Sequence, residues 1–124
     1  MTTKTPDGNK DRLLELRDRL RTFAADRDWN QFHSPKNLAI ALSVEAAELL
    51  EHFQWLREED STSLPLPQQA KVREELADVL LYLIRLADKL NVDLGDAAAE
   101  KIAINAAKYP VEKSRGSSKK YSDL

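Results

Sequence analysis

Leu13, Leu16, Leu20 and Phe23 recur at intervals of three and four with Arg, Asp and Glu between them, the pattern of a helix that buries one face. That spacing predicts a first helix from near Asn9 or Lys10 to near Asp26. The stretch from Arg27 to His33 loses the period but is rich in aromatic and polar side chains. Ser34 and Pro35 then supply an N-cap followed by proline at the first helical position, which opens a second helix expected to reach about Leu56. One face of it carries Leu38, Leu42, Leu49, Phe53 and Leu56, and the other carries Ile40, Val44, Ala47 and Leu50. A helix apolar nearly all round needs cover on more than one side, so the pattern predicts a homo-oligomer, at least a dimer. Arg57 to Pro67 is charged and then Ser/Thr/Pro-rich, a predicted loop, and Pro67 opens a third helix running to about Leu90, with Val72, Val79, Leu83, Leu86 and Leu90 facing the core. Asn91 ends it, and Asp93 with Asp96 caps a fourth helix through Ala97 to Ala107, closed by Tyr109 and Pro110. With no alternating strand pattern anywhere, the expected class is all-α, a four-helix bundle in a single domain over residues 1–124, with flexible tails at 1–9 and about 111–124.

Four acids interrupt this pattern. Glu45 with Glu48, and Glu75 with Asp78, are spaced three apart, so each pair points within about 60° on one helix face, bordering the leucines of that face. Shifting the numbering by 30 lays Leu42 on Val72, Glu45 on Glu75, Glu48 on Asp78, Leu49 on Val79 and His52 on Tyr82. If the two helices pack antiparallel, all four carboxylates meet, and their repulsion must be relieved by protonation or by a cation. An all-oxygen set of this kind suits Mg²⁺, with Mn²⁺ as a possible substitute, held together with substrate phosphates. Zinc would want His or Cys, and a bundle-type di-iron site would want Glu-x-x-His, which these spacings lack. An acid pair three apart is common on solvated faces, so the weight rests on two matching pairs at core-facing positions flanked by aromatics.

Composition narrows the picture further. Hydrophobic residues at 42% and charged ones at 32% describe a soluble globular chain, and 19 basic against 21 acidic residues argue against a nucleic-acid polymer as partner. The absence of cysteine excludes disulfides and thiolate sites. Met1 to Lys10 is polar, and the apolar stretches are broken by Glu and Arg too often to span a bilayer, so the expectation is a cytoplasmic protein with no membrane partner.

The run Arg27-Asp28-Trp29-Asn30-Gln31-Phe32-His33, the stretch from Asn37-Leu38 through Glu45-Ala46-Ala47-Glu48 to Phe53-Gln54-Trp55, then Glu74-Glu75-Leu76-Ala77-Asp78-Val79-Leu80-Leu81-Tyr82-Leu83, and finally Lys101 to Asn105 to Lys108-Tyr109-Pro110 resemble the dCTP pyrophosphatases of the all-α MazG-like nucleoside triphosphate pyrophosphohydrolase superfamily. The likeness covers about residues 12 to 124, including the tail Ser114 to Tyr121. It implies cleavage of a deoxynucleoside triphosphate between the α and β phosphates, dCTP or a modified dCTP preferred, as nucleotide-pool house-cleaning by a dimer or dimer of dimers. It implies Mg²⁺ held by Glu45, Glu48, Glu75 and Asp78, with Glu45 or Glu48 as catalytic base, since the extra glutamate that some relatives carry is Val44 here. It implies base recognition by Trp29, His33, Trp55 and Tyr82, with Asn30 and Gln31 reading the polar edge of the base. It implies phosphate contacts from Lys101, Asn105, Lys108 and Tyr109, over which Lys119, Lys120 and Tyr121 could close. Where some of these enzymes place a first-helix histidine in the pocket, this chain has Leu20, which leaves a dUTP-directed or broad dNTP activity as the alternative. The reading from another class is a non-catalytic helical interaction module.

Overall fold

A computed structural model describes residues 11–124 and, among them, contains helices and connecting turns and no strand. The α-helices are α1 (Arg12–Asp26), α2 (Pro35–Glu51), α3 (Leu66–Lys89), α4 (Leu94–Lys108) and α5 (Val111–Ser114), with 3-10 turns at Asn30–Phe32, Glu58–Asp60 and Tyr121–Asp123. The four expected helices are present, and α5 is a fifth, a single turn in the stretch read from sequence as a tail. The segment 1–9, expected to be a flexible tail, lies outside the described residues. The chain falls into two compact units, one ending at Val92 and the other spanning Asp93–Leu124.

In the first unit, local chemistry sets the helix ends. Asp11 caps α1 by accepting from the Leu13 and Leu14 amides at 2.8 and 3.4 Å, so the helix opens at Arg12. At its other end Asp28 adopts φ 55, and the Trp29 amide donates to the Ala24 carbonyl at 2.9 Å while Asp28 donates to Ala25 at 3.1 Å. This pair of bonds is a Schellman closure, which turns the chain sharply and fixes where Trp29 emerges. Ser34 Oγ accepts from the Asn37 amide at 3.1 Å, with Pro35 in the first turn, as the sequence predicts for α2. That helix ends at Glu51, five residues short of Leu56. His52 and Phe53 donate to Leu49 and Leu50 at 3.2 and 2.9 Å, tightening the last turn and satisfying its carbonyls. The second Schellman closure, at Asn91 with φ 57, ends α3 after Lys89 through Val92 donating to Ala87 at 2.9 Å.

Asn30 and His33, which precede α2, bond to Arg85 near the end of α3, while Glu48 near the end of α2 acts on Glu75 in the first half of α3. The two helices therefore run antiparallel, the arrangement on which the acid overlay depends. Ala24, Leu38, Val72, Ile84 and Ala87 form the buried core, with α1 packed on α3. Leu83 and Leu90, expected to face that core, are 37% and 54% exposed, while Ile84 and Ala87 are buried. On α2, Ile40, Val44 and Leu50 are each more than half exposed, the uncovered apolar face that the pattern anticipated.

The second unit is held by its own caps and rings. Asp93 accepts from the Asp96 amide at 3.0 Å, which starts α4 at Leu94. The Tyr109 and Tyr121 rings meet edge-on at 6.0 Å, and Lys108 Nζ sits 4.8 Å from the Tyr121 ring centre, so the chain end folds back on the close of α4.

Candidate metal centre and adjoining cleft

Glu45 and Glu48 leave α2 one turn apart, and Glu75 leaves the antiparallel α3 opposite them. One carboxylate oxygen from each lies within 4.8 Å of the others. Three of the four acids singled out from sequence thus meet at one point. Asp78, one turn farther along α3, stands outside that trio but is near enough for its charge to raise both Glu45 and Glu75.

Such crowding has an electrostatic cost. A hydrogen bond shared with Glu48, then burial, then the charges of Glu48, Glu75 and Asp78 push the Glu45 carboxyl up to about 7. Burial first, and then the Glu48 charge, also raise Glu75 above the usual carboxylate range. Oε2 of Glu75 is buried without a hydrogen-bond partner, an acceptor with nothing to accept. An orphaned oxygen, a carboxyl that keeps its proton near neutrality, and an all-carboxylate donor set fit a hard divalent cation, which would relieve all three at once.

Beside the acids opens a cleft of about 440 Å³, within the roughly 300–1,000 Å³ range of small-molecule sites. Leu16, Arg19, Leu20, Phe23 and Ala24 form one wall from α1. Trp29 and His33 form another, and Asp78, Leu81, Tyr82 and Arg85 of α3 complete it. Trp29 stands edge-on to Phe23 at 5.6 Å and to His33 at 6.3 Å between ring centres, so it is braced on two sides. Asp78 belongs to this wall as well as to the surroundings of the acids, which makes cleft and acid trio neighbours within one unit.

Trp29, His33 and Tyr82 line the cleft. Asn30 and Gln31, between Trp29 and His33 in the chain, are not in its lining. Asn30 Oδ1 accepts from Arg85, and Gln31 Nε2 donates to the Asp28 carbonyl and carboxylate at 3.0 Å each. Trp55 does not join the wall and is 87% exposed, because α2 has ended before it. Lys101, Asn105, Lys108 and Tyr109 lie in the second unit. There Lys101, Asn105 and Lys108 are exposed, and Tyr109 donates its amide to the Asn105 carbonyl at 2.9 Å.

Among the wall residues that went unread in the sequence, Arg85 is the charged one that is buried. Arg85 is 6% exposed, and it donates from Nε to His33 Nδ1 at 3.1 Å, from Nη2 to Asn30 Oδ1 and from Nη1 to Asp88 Oδ2 at 3.5 Å. Asp88 is itself gripped by Arg21 through a two-pronged pair at 2.6 and 2.8 Å. The signal that could have found Arg85 is its spacing: Asp78, Tyr82 and Arg85, at i, i+4 and i+7, share one face of α3.

An antiparallel helix pair presenting clustered acids beside an aromatic-walled cleft defines a class, and comparison with known proteins agrees. The MazG-like family model matches residues 40–124, and the chain belongs to the MazG-like family. Among curated proteins it is similar to dCTP pyrophosphatase 1 of Mus musculus, 46% identical over 114 residues, and of Homo sapiens, 44% identical over 118 residues. In each case 90% of this chain and 67% of the relative are covered. Among solved structures it is similar to a pyrophosphatase from Archaeoglobus fulgidus at a TM-score of 0.76 and 41% identity, covering 82% of this chain and 94% of that one.

Proposed function

We propose that this chain is a nucleoside triphosphate pyrophosphohydrolase that acts on deoxynucleoside triphosphates, with dCTP or a modified dCTP preferred, and that Mg²⁺ is its cofactor. The observation that carries the reading is the convergence of Glu45, Glu48 and Glu75 within 4.8 Å beside an aromatic cleft. Kinship with proteins named dCTP pyrophosphatase 1 supports the substrate class.

Glu45, Glu48, Glu75 and Asp78 would hold the ion, which when bound neutralises triphosphate oxygens and stabilises the developing charge. Trp29 offers a braced flat face for a base, and Tyr82 and His33 give polar atoms beside it. Water attacks the α phosphorus, the new P–O bond forms as the bond to the bridging α–β oxygen breaks, and that oxygen departs with pyrophosphate. The attacking water's proton passes to Glu45 or Glu48. Both stand on α2 within the acid cluster, on the side where the ion and the triphosphate would meet. Lys101, Asn105, Lys108 and Tyr109 take the outer phosphates, and Trp55 joins base recognition, in the same proposal.

The uncovered face of Ile40, Val44 and Leu50 supports assembly as a dimer or dimer of dimers. The family match over 40–124 runs through both compact units; a single domain over residues 1–124 belongs to the same proposal. Among the described residues no helix is long and apolar enough to cross a membrane; a cytoplasmic location belongs to the proposal. Leu20 in the cleft wall reads no polar base edge, which keeps a dUTP-directed or broad dNTP activity as the alternative to a dCTP preference. A pyrophosphate-release screen over the four dNTPs and dUTP with Mg²⁺ tests the proposal. Release from dCTP is expected, and no release from any of them would favour the helical interaction module instead.

A further inference from the structure

Arg85 is the one buried charged side chain among the described residues, and every nitrogen of its guanidinium is committed. A guanidinium can only donate, so the atoms it meets must accept. His33 Nδ1 therefore presents a lone pair to Arg85, and the ring of neutral His33 must carry its proton on Nε2. Burial, then the Arg85 charge, then that of Lys89 hold the imidazole below its ordinary pKa, so the neutral ring persists through neutrality. Asn30 is oriented the same way. Its amide oxygen is taken by Arg85, and what remains to offer is the NH₂ group.

Both consequences have the same sign. His33 lines the cleft, and the polar hydrogen it can offer an occupant is Nε2–H; Asn30, three residues before it and held by the same guanidinium, keeps its NH₂ as a second donor beside the lining. Two donors match a base edge made of adjacent acceptors. Cytosine has such an edge in O2 and N3, whereas uracil and thymine interrupt theirs with N3–H. We propose that Arg85 is a positioning residue that fixes His33 and Asn30 as donors and thereby biases the cleft toward cytosine over uracil or thymine. This rests on the pyrophosphohydrolase reading above and deepens it, because it assigns base discrimination to a side chain that need not touch the base.

The second guanidinium on Asp88 explains why Arg85 is free for this work. Arg21 supplies Asp88 with its close two-pronged partner, leaving Arg85 a longer contact of 3.5 Å and two nitrogens turned toward His33 and Asn30. A lysine at 85 could not replace it, since one ammonium on a flexible stem does not span acceptors in three fixed directions.

The test compares wild type, Arg85→Met and Arg85→Lys with dCTP and dUTP under Mg²⁺. Methionine approximates the arginine stem and leaves Asp88 with Arg21. Expected is a fall of about tenfold in the ratio of kcat/KM for dCTP to that for dUTP in Arg85→Met, arising from the KM for dCTP with kcat nearly unchanged and only partly restored in Arg85→Lys. An unchanged ratio, or a loss confined to kcat, overturns the assignment. A wild type that hydrolyses dNTPs with no preference for dCTP also overturns it while leaving the activity standing. A second measurement needs neither activity nor a folded variant: long-range ¹H–¹⁵N correlation of wild-type His33 at pH 7 is expected to show protonated Nε2 and an accepting Nδ1. A proton on Nδ1 overturns the inference even if no pyrophosphate is ever released, which would separately defeat the function proposed above.

Discussion

Helix α3 carries two charged regions of opposite design about three turns apart. Toward its start, Glu75 and Asp78 face Glu45 and Glu48, acids against acids, and the result is carboxyls driven upward in pKa and an oxygen with no donor. Toward its end, Asp88 sits between Arg21 and Arg85, and hydrogen bonding to Arg21 holds its carboxyl below the usual range. The arginine end satisfies itself and so holds shape. The acid end is a local conflict that a retained proton or a bound cation relieves, and such conflicts in an otherwise consistent fold mark where function resides.

The largest expected effect breaks the acid end. Glu48→Gln retains shape and removes one of the charges available to a divalent ion, so pyrophosphate release from dCTP with Mg²⁺ should fall on the order of 10³-fold, equivalent to several kcal/mol of charge stabilisation. The same substitution removes a repelling charge, so the metal-free variant should melt at or above the wild-type temperature. A variant that loses activity because it melts much earlier would undo this half of the contrast. At the arginine end the outcome is reversed. Asp88→Ala leaves the buried Arg85 without its carboxylate and should cost about 2 kcal/mol, a value reduced from that of a fully buried pair because Arg21 is half exposed. Chemical denaturation checks it, and an unchanged midpoint would show that the pairing contributes nothing.

The same contrast explains what the sequence disclosed. Acids at Glu45, Glu48, Glu75 and Asp78 stand out because they violate a helical apolar pattern, and violations are visible without coordinates. Caps such as Ser34-Pro35 and Asp93 are local chemistry and set α2 and α4 where expected. Arg85 violates nothing obvious, since arginine on a helix reads as solvated, and its burial follows from the closure after α1 that carries Asn30 and His33 onto it. Trp55 shows the limit of the helical period: the helix expected to reach Leu56 ends at Glu51, and the tightened turn at His52 and Phe53 leaves its ring in solvent.

Titration sharpens the comparison with a smaller effect. Glu45 has a folded-state value of about 7 against an ordinary 4.5, so between these limits the metal-free native state holds a proton that the unfolded state has lost. Its contribution to stability is complete below about 4.5 and disappears as pH rises through about 7. Asp88 has the opposite sign. Its contribution is complete above its ordinary 3.8 and is lost as pH falls through its depressed folded value. Metal-free protein should therefore melt at a higher temperature at pH 5 than at pH 8, and saturating Mg²⁺ should remove or invert that difference by binding the ionised acids. A metal-free melting temperature that rises steadily from pH 5 to pH 8 would contradict the acid end as drawn.

The smallest effect belongs to Arg21→Met. Arg21 grips Asp88 with good geometry, but half of its side chain lies in water, where salt and side-chain entropy erode an ion pair. Removing it leaves Asp88 with Arg85, which can close its 3.5 Å contact. Thermal unfolding at low salt should show a drop of no more than a few degrees, and the drop should shrink at high salt because only a solvent-exposed partner has been removed. A large, salt-independent drop would mean that Arg21 anchors the whole network, and Arg85 would then owe its position to Arg21 and not to its own contacts with His33 and Asn30.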